Sequence, residues 1–474
     1  MIDRRKFYIN GEWVAPLAAN DREVLNPATE QPVAVISMGT AADIDRAVAA
    51  AKTAFVTYSR TSVEERLALL EALLAVYKRR YEEMAQTITL ELGAPISMSR
   101  EQQADVGVGH LQGYIDALKR LPMREALPNG DVILREPVGV CGLITPWNWP
   151  INQIALKVVA ALATGCTCVL KPSELTPLNA MLYAEMIEEA GFPAGVFNLV
   201  NGDGPSVGAA LSRHRDVDMM SFTGSTRAGI AVSKDAAETV KRVTLELGGK
   251  SPNILFEDAD LEDRITASVL ECFNNSGQSC DAPTRLLVQR SVYDRAVEIA
   301  RRAGQEVKVG NPAEEGPHVG PLVSDVQYGR VQALIEAGIA EGARPLVGGA
   351  GKPDGFETGY FVRPTIFADV DNSMRIAREE VFGPVLAIIP FDGEEEAIEI
   401  ANDTEYGLAA YIQTGDPARA ERVASRLRAG MVHINGAPHR YGSPFGGYKQ
   451  SGNGREGGRF GLEDFLEVKT LHRP

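Results

Sequence analysis

The chain predicts an α/β protein built from two successive parallel sheets, each wrapped by helices. Three observations carry this. At 474 residues it exceeds one ordinary hydrophobic core, so two or three packed units are expected. From Val138 to Leu245, short β-rich runs alternate with helical patterns, the signature of a parallel sheet covered on both faces. After the punctuation Gly248-Gly249-Lys250-Ser251-Pro252 the alternation starts again, marking a boundary between two units.

The first unit begins with a strand over Gly139–Ile144 and a helix over Ile151–Ala163, which Gly165 ends. A strand over Thr167–Leu170 and a helix over Pro177–Ala190, closed by Gly191, follow. Strands at Val196–Val200, Met219–Phe222 and Arg242–Leu245 complete it. In the second unit, strands are predicted at Asn253–Phe256, Thr284–Gln289, Val385–Phe391, Ala409–Thr414 and Met431–Asn435. Helices near 260–275, 292–306, 325–341, 394–402 and 417–428 lie between them. Two segments belong to neither unit. Residues 118–138, interrupted by Pro122 and Pro128-Asn129-Gly130, predict a protruding hairpin. Phe465–Pro474 reads as a strand-like tail without a local partner, of the kind that pairs with another subunit.

Hydrophobic residues at 45% and charged ones at 23% describe a globular enzyme rather than a disordered chain. A net charge of -15 with no basic run argues against nucleic acid as a partner. The charged N-terminus lacks an apolar segment behind it, so no secretory signal is read. The apolar stretch Ile151–Leu170 contains Asn152, Gln153, Lys157 and Gly165, which suits a core better than a membrane span. Five cysteines make a poor disulfide framework and suit a reducing cytoplasm. Cys166 and Cys168 lie in an apolar run and read as buried strand residues, so no metal is expected.

The motifs that carry chemistry cluster at the ends of the predicted strands. Asn274-Asn275-Ser276-Gly277-Gln278-Ser279-Cys280 presents a candidate nucleophile, and Leu245-Glu246-Leu247 a candidate base. Thr145-Pro146-Trp147-Asn148-Trp149-Pro150 places two of the three tryptophans around an asparagine able to donate to a developing oxyanion. Phe222-Thr223-Gly224-Ser225-Thr226 follows a strand and opens a helix, which serves equally as a phosphate cradle or a Ser helix cap. Lys171-Pro172-Ser173-Glu174 sits where α/β sheets bind ligands, yet taken alone it reads as a cap for the next helix. Gly202-Asp203-Gly204-Pro205-Ser206-Val207-Gly208 misses the G-x-G-x-x-G spacing by one residue and reads as loop punctuation. Glu379-Glu380-Val381-Phe382-Gly383-Pro384 alone is a turn with an acidic flank.

In this order the motifs resemble the aldehyde dehydrogenase superfamily, from Tyr8-Ile9-Asn10-Gly11 to Pro444-Phe445-Gly446-Gly447-Tyr448-Lys449 and beyond. The resemblance implies a Rossmann-type cofactor domain (1–117 and 139–248), an α/β catalytic domain (249–450), a returning segment (451–464) and small oligomerisation elements (118–138 and 465–474). It implies an enzyme that oxidises an aldehyde to a carboxylic acid, with NAD as hydride acceptor and NADP possible. Cys280 would be the nucleophile, Glu246 the base, and Asn148 the oxyanion donor. Thr145, Trp147, Lys171, Ser173, Glu174, Gly204, Phe222, Gly224, Ser225, Leu247, Glu380 and Phe382 would hold the cofactor. Trp149, Gln153, Leu156, Asp281, Tyr441 and Phe445, with the loop 436–441, would line the substrate tunnel. A homodimer or homotetramer, and no membrane partner, would follow.

Competing classes fall on single residues. A coenzyme-A-acylating relative typically lacks the base that Glu246 supplies. A non-catalytic, crystallin-like descendant would tolerate loss of Cys280 or Asn148, and both are present. A cysteine hydrolase needs a histidine partner, and none of the six histidines lies in such a motif. By resemblance, relatives acting on succinate semialdehyde carry arginine where this chain has Leu156. Aromatic or medium-chain aldehydes are therefore expected. Asp281, beside the nucleophile, either faces the tunnel and disfavours anionic ones, or turns outward into a salt bridge or backbone cap as a structural residue.

Overall fold

The computed structural model describes residues 1–473. Its first large sheet has eight strands. In spatial order they are Gly452–Asn453, Arg242–Glu246, Met219–Thr223, Val140–Ile144, Thr167–Lys171, Phe197–Leu199, Phe7–Ile9 and Glu12–Val14. The five central strands run parallel, and the flanking ones are antiparallel. Strand order reverses between Val140–Ile144 and Met219–Thr223, and the crevice beyond their carboxyl ends is where a doubly wound sheet takes a ligand.

The central strands are buried on both faces, as their unbroken apolar runs require. Helix Pro150–Thr164 is almost wholly buried, with proline in its first turn and Gly165 closing it at φ 91°. Side chains with a Cβ are strained at that φ, so glycine is the natural stop.

The second large sheet has seven strands, ordered Arg344–Val347, Thr365–Ala368, Val385–Phe391, Arg285–Gln289, Pro252–Leu255, Ala409–Gln413 and Met431–Ile434. All neighbours pair in parallel except the first two. The chain passes from one sheet to the other through residues 247–251.

Several elements differ from expectation. The tail pairs within its own chain: Leu466–Leu471 runs antiparallel to Val132–Pro137, from Leu466 opposite Pro137 to Leu471 opposite Val132. The hairpin predicted at 118–138 is narrower, Arg124–Ala126 against Val132–Pro137, because the preceding helix runs on to Arg120. Together these form a three-stranded sheet with Leu466–Leu471 at one edge. A further small sheet joins Ile2–Arg4, Gln31–Ser37 and Asp21–Asn26. Among the described residues, no helix is long and apolar enough to cross a membrane.

Candidate active site

A cleft of about 430 Å³ is lined by residues from both large sheets. Asn148, Glu246 and Cys280 open into it together, with Trp147, Gly224, Ser225, Leu247, Glu380 and Phe382. Residues far apart in sequence converge here: Glu246 ends strand Arg242–Glu246, Asn148 lies between strand Val140–Ile144 and helix Pro150–Thr164, and Cys280 lies between helix Leu261–Phe273 and strand Arg285–Gln289.

The segment before Cys280 is tightly determined. Asn275, Ser276 and Gly277 all have left-handed backbones, with φ of 51°, 56° and 71°. Such a run in non-glycine residues persists only where the surroundings impose it. Asn275 donates its amide to the Asn148 carbonyl at 2.8 Å, and Gln103 donates to the same carbonyl at 3.1 Å. Ser276 donates to the Gly320 carbonyl at 2.9 Å. The Gln278 side chain accepts from the Val323 amide and donates to the Asn275 carbonyl. Gly277 fits because a Cβ there would lie 2.1 Å from the Gly383 carbonyl oxygen.

Asn148 donates Nδ2 to the Gln278 carbonyl at 3.0 Å, which fixes the amide plane. Its second Nδ2 hydrogen remains free for a ligand. Trp149 donates its indole N–H to Ser279 Oγ at 2.8 Å, bracing the residue next to the thiol.

Burial pushes the Cys280 thiol well up, and the carboxylates of Asp281, Glu380 and Glu246 push it further. Glu246 is also pushed well up, first by burial and then by Glu456, while Lys157 opposes both. One of its oxygens, Oε2, is buried without a partner. Behind it lies a buried ion pair, Lys157 Nζ to Glu456 Oε1 at 2.5 Å, with Ser221 3.2 Å from the same nitrogen.

The cofactor motifs divide. Glu380 accepts the Gly249 N–H at 2.9 Å, and burial raises it to about 7. Gly248 admits this approach, since a Cβ there would be 2.3 Å from the Glu380 carboxylate. The Trp147 and Phe382 rings meet edge to face at 5.3 Å. Ser225 caps the helix Thr226–Ala237 by accepting from the Ala228 amide, so the capping role is real. Lys171 and Glu174 stand outside the cleft lining, paired at 3.4 Å, and Lys171 also donates to the Pro172 carbonyl. Ser173 Oγ accepts from the Leu175 amide. Phe222 is packed beneath Gly224 and belongs to the core, which corrects its expected cofactor contact. Gly204 opens a wide helical turn that Asp203 caps, so loop punctuation is also corrected.

Of the tunnel residues, Phe445 packs in the same cluster as Cys280. Leu156 is 2% exposed and packs inside the core, because helix Pro150–Thr164 is almost wholly enclosed. Gln153 is likewise buried, with Oε1 unpartnered. Tyr441 is exposed, bonds Asp105 at 3.0 Å and meets the His110 ring edge-on.

Gln327 and Arg330, on helix Asp325–Ala340, line the cleft without having been singled out in the sequence. Gln327 donates to the Phe382 carbonyl at 2.9 Å, where the backbone has φ 56°. Their only sequence signal is polar residues on an otherwise ordinary amphipathic helix.

The residues fit a dinucleotide. Thr145 and Thr223 end adjacent strands at the crevice, and their hydroxyls are buried without partners. The Ser225 helix N-terminus lies beside them, a favourable place for phosphate.

Comparison with known proteins agrees. Residues 13–471 match the profile described as the aldehyde dehydrogenase family. The 3-succinoylsemialdehyde-pyridine dehydrogenase of a Pseudomonas species is 53% identical over 472 residues, covering 99% of both chains. An aldehyde dehydrogenase of Bartonella henselae superposes with TM-score 0.98 at 51% identity, covering 99% of each. Aldehyde dehydrogenase C of Pseudomonas syringae, solved as a mutant with NAD+ and octanal, gives 0.97 at 51% identity, covering 98% of this chain and 96% of that one. The profile spans nearly the whole chain and relatives at half identity match it from end to end, so the chain belongs to the aldehyde dehydrogenase family.

Proposed function

We propose that this aldehyde dehydrogenase works through Cys280, Asn148 and Glu246, with the cleft between the sheets as its NAD site. The observation that carries the reading is that these three side chains open into one cleft, beside two buried hydroxyls with no protein partner. NAD, when bound, supplies the hydride acceptor.

Cys280 as thiolate attacks the aldehyde carbon and forms a thiohemiacetal. The free Asn148 amide hydrogen and the Cys280 backbone N–H hold the oxyanion, an arrangement worth about 3–4 kcal/mol. Collapse of that oxyanion expels hydride and leaves a thioester on Cys280. Glu246 takes a proton from water, which hydrolyses the thioester to the carboxylic acid. Glu380, Trp147 and Phe382 order the nicotinamide end, and Thr145, Gly224 and Ser225 the phosphates. Lys171 and Glu174 take the adenosine ribose, with Glu174 repelling a 2′-phosphate and favouring NAD over NADP. The cofactor unit is 1–117 with 139–248, and the catalytic unit 249–450.

Aromatic or medium-chain aldehydes are the favoured substrates. The Pseudomonas relative's name specifies a pyridine-bearing semialdehyde, and octanal is bound in the Pseudomonas syringae structure. The sheet containing Leu466–Leu471 keeps one edge open, and Val468 on it is 64% exposed, which supports a homodimer or homotetramer. Five free cysteines suit the cytoplasm.

Rapid mixing of Glu246→Gln with NAD and octanal tests the mechanism. A burst of one NADH per site without a steady state is expected, while Cys280→Ala gives no burst. Steady turnover by either variant at the parent rate overturns these roles.

A further inference from the structure

Beyond Cys280, on the side away from the cofactor cleft, lies a group of titratable side chains that the mechanism does not use. Asp281 directly follows the nucleophile, and its only favourable electrostatic neighbours are its own amide, His433 and His439. Glu271, exposed on helix Leu261–Phe273, is close enough for partial burial and the Asp281 charge to raise it to about 7. Neither carboxylate forms an ion pair among the described residues. Arg440, the one cation on the loop 436–441, is exposed and pairs with neither.

The aromatic walls are fixed by geometry. Tyr411 donates its hydroxyl to the Asp281 carbonyl at 3.1 Å. Its ring stacks on His433 with centroids 4.8 Å apart and planes 16° off parallel. His433 Nδ1 lies 2.8 Å from the Ala437 carbonyl, which can only accept, so Nδ1 carries the proton. Its other ring nitrogen, Nε2, is buried without a partner. His439 meets the Phe445 ring edge-on at 6.0 Å, and Phe445 packs against Cys280.

Acceptors therefore outnumber donors here, and ring faces fill the spaces between them. A carboxylated aldehyde would bring a third anion beside two unpaired carboxylates. A cationic nitrogen would meet two carboxylates and aromatic faces, the features that hold a cation. We propose that Asp281, Glu271 and His433 form a distal subsite that selects aldehydes carrying a positively charged nitrogen and excludes carboxylated ones. Burial favours this further, since an uncompensated carboxylate there is held above its usual range. The proposal rests on Cys280 as the attacking group and names the substrate class of that site.

Three aldehydes of matched length test it: 4-(trimethylammonio)butanal, its uncharged carbon isostere 5,5-dimethylhexanal, and 5-oxopentanoate. In the parent enzyme, kcat/KM is expected to be at least about tenfold higher for the cation than for the anion. The isostere should fall between them. Asp281→Asn should reduce the cation-to-anion ratio about three- to tenfold, and Glu271→Gln should move it the same way should the first variant not fold. Addition of salt should compress the ratio in the parent. Equal efficiencies for cation and anion, or a ratio that neither substitution moves, overturn the subsite while turnover of 5,5-dimethylhexanal keeps the catalytic reading intact. No NADH from any of the three overturns that reading, and the subsite with it.

Discussion

Replacing Lys157 by methionine tests the buried electrostatics of the site. Its ammonium is fully buried, 2.5 Å from the Glu456 carboxylate, whose side chain is 8% exposed. Removing one partner of such a pair leaves an uncompensated buried charge and costs about 3–5 kcal/mol. Unfolding entropy near 2.1 cal/mol/K per residue makes about 1 kcal/mol/K for a chain of this length, so the midpoint should fall by about 3–5 °C. The double variant Lys157→Met, Glu456→Leu should recover most of the loss, because apolar groups of similar volume replace the pair.

The pH dependence has a definite sign. Lys157 also holds Glu246 down, so its removal should move the acid limb of the turnover profile to higher pH. Thermal midpoints from pH 4 to 8, with turnover profiles, are the measurements. A loss below about 1 kcal/mol, or a double variant no more stable than the single one, would refute the reasoning.

Gly249→Ala should cost at least about tenfold in kcat, because its Cβ would sit 2.3 Å from the Cys280 carbonyl and push on the nucleophile's backbone; steady-state rates within twofold of the parent would contradict that. NAD affinity should weaken as pH falls through about 7, since the carboxylate form of Glu380 is the hydrogen-bond acceptor. Titration calorimetry should show that slope abolished in Glu380→Gln, and a slope that persists there assigns it to another group.

How far the sequence revealed the fold depends on where each element sits. Val385–Phe391 was legible to the residue, because a central strand is a continuous apolar run bounded by turn residues. Arg344–Val347 and Gly452–Asn453 were not, since short edge strands carry no periodic pattern. The partner of Leu466–Leu471 lies more than 300 residues upstream, and alternation within a strand cannot say which edge it meets. Cys280, Glu246 and Asn148 were legible as motifs. Leu156 was misplaced because a resemblance fixes position in the chain without fixing which way a buried helix turns its side chains. Lys157 was noticed only as a residue unsuited to a membrane span, and its partner Glu456 is 299 positions away.

The same burial that makes the site selective sets a problem in proton transfer, and the arrangement of charges answers part of it. Three carboxyl groups, Asp281, Glu380 and Glu246, act on one thiol, with Lys157 and Lys250 as buried lysines behind them. Burial and these carboxylates favour the neutral thiol. A glutamate of ordinary pKa, about four units below a thiol, would be a poor base for it. Burial and Glu456 lift Glu246 well above the ordinary carboxylate range, which makes it a stronger base. Lys250, lowered to about 7 by burial and the Arg285 guanidinium, faces Glu380, itself raised to about 7. Selectivity and base strength thus come from one cause, the removal of water from a group of carboxylates that the fold leaves only partly paired.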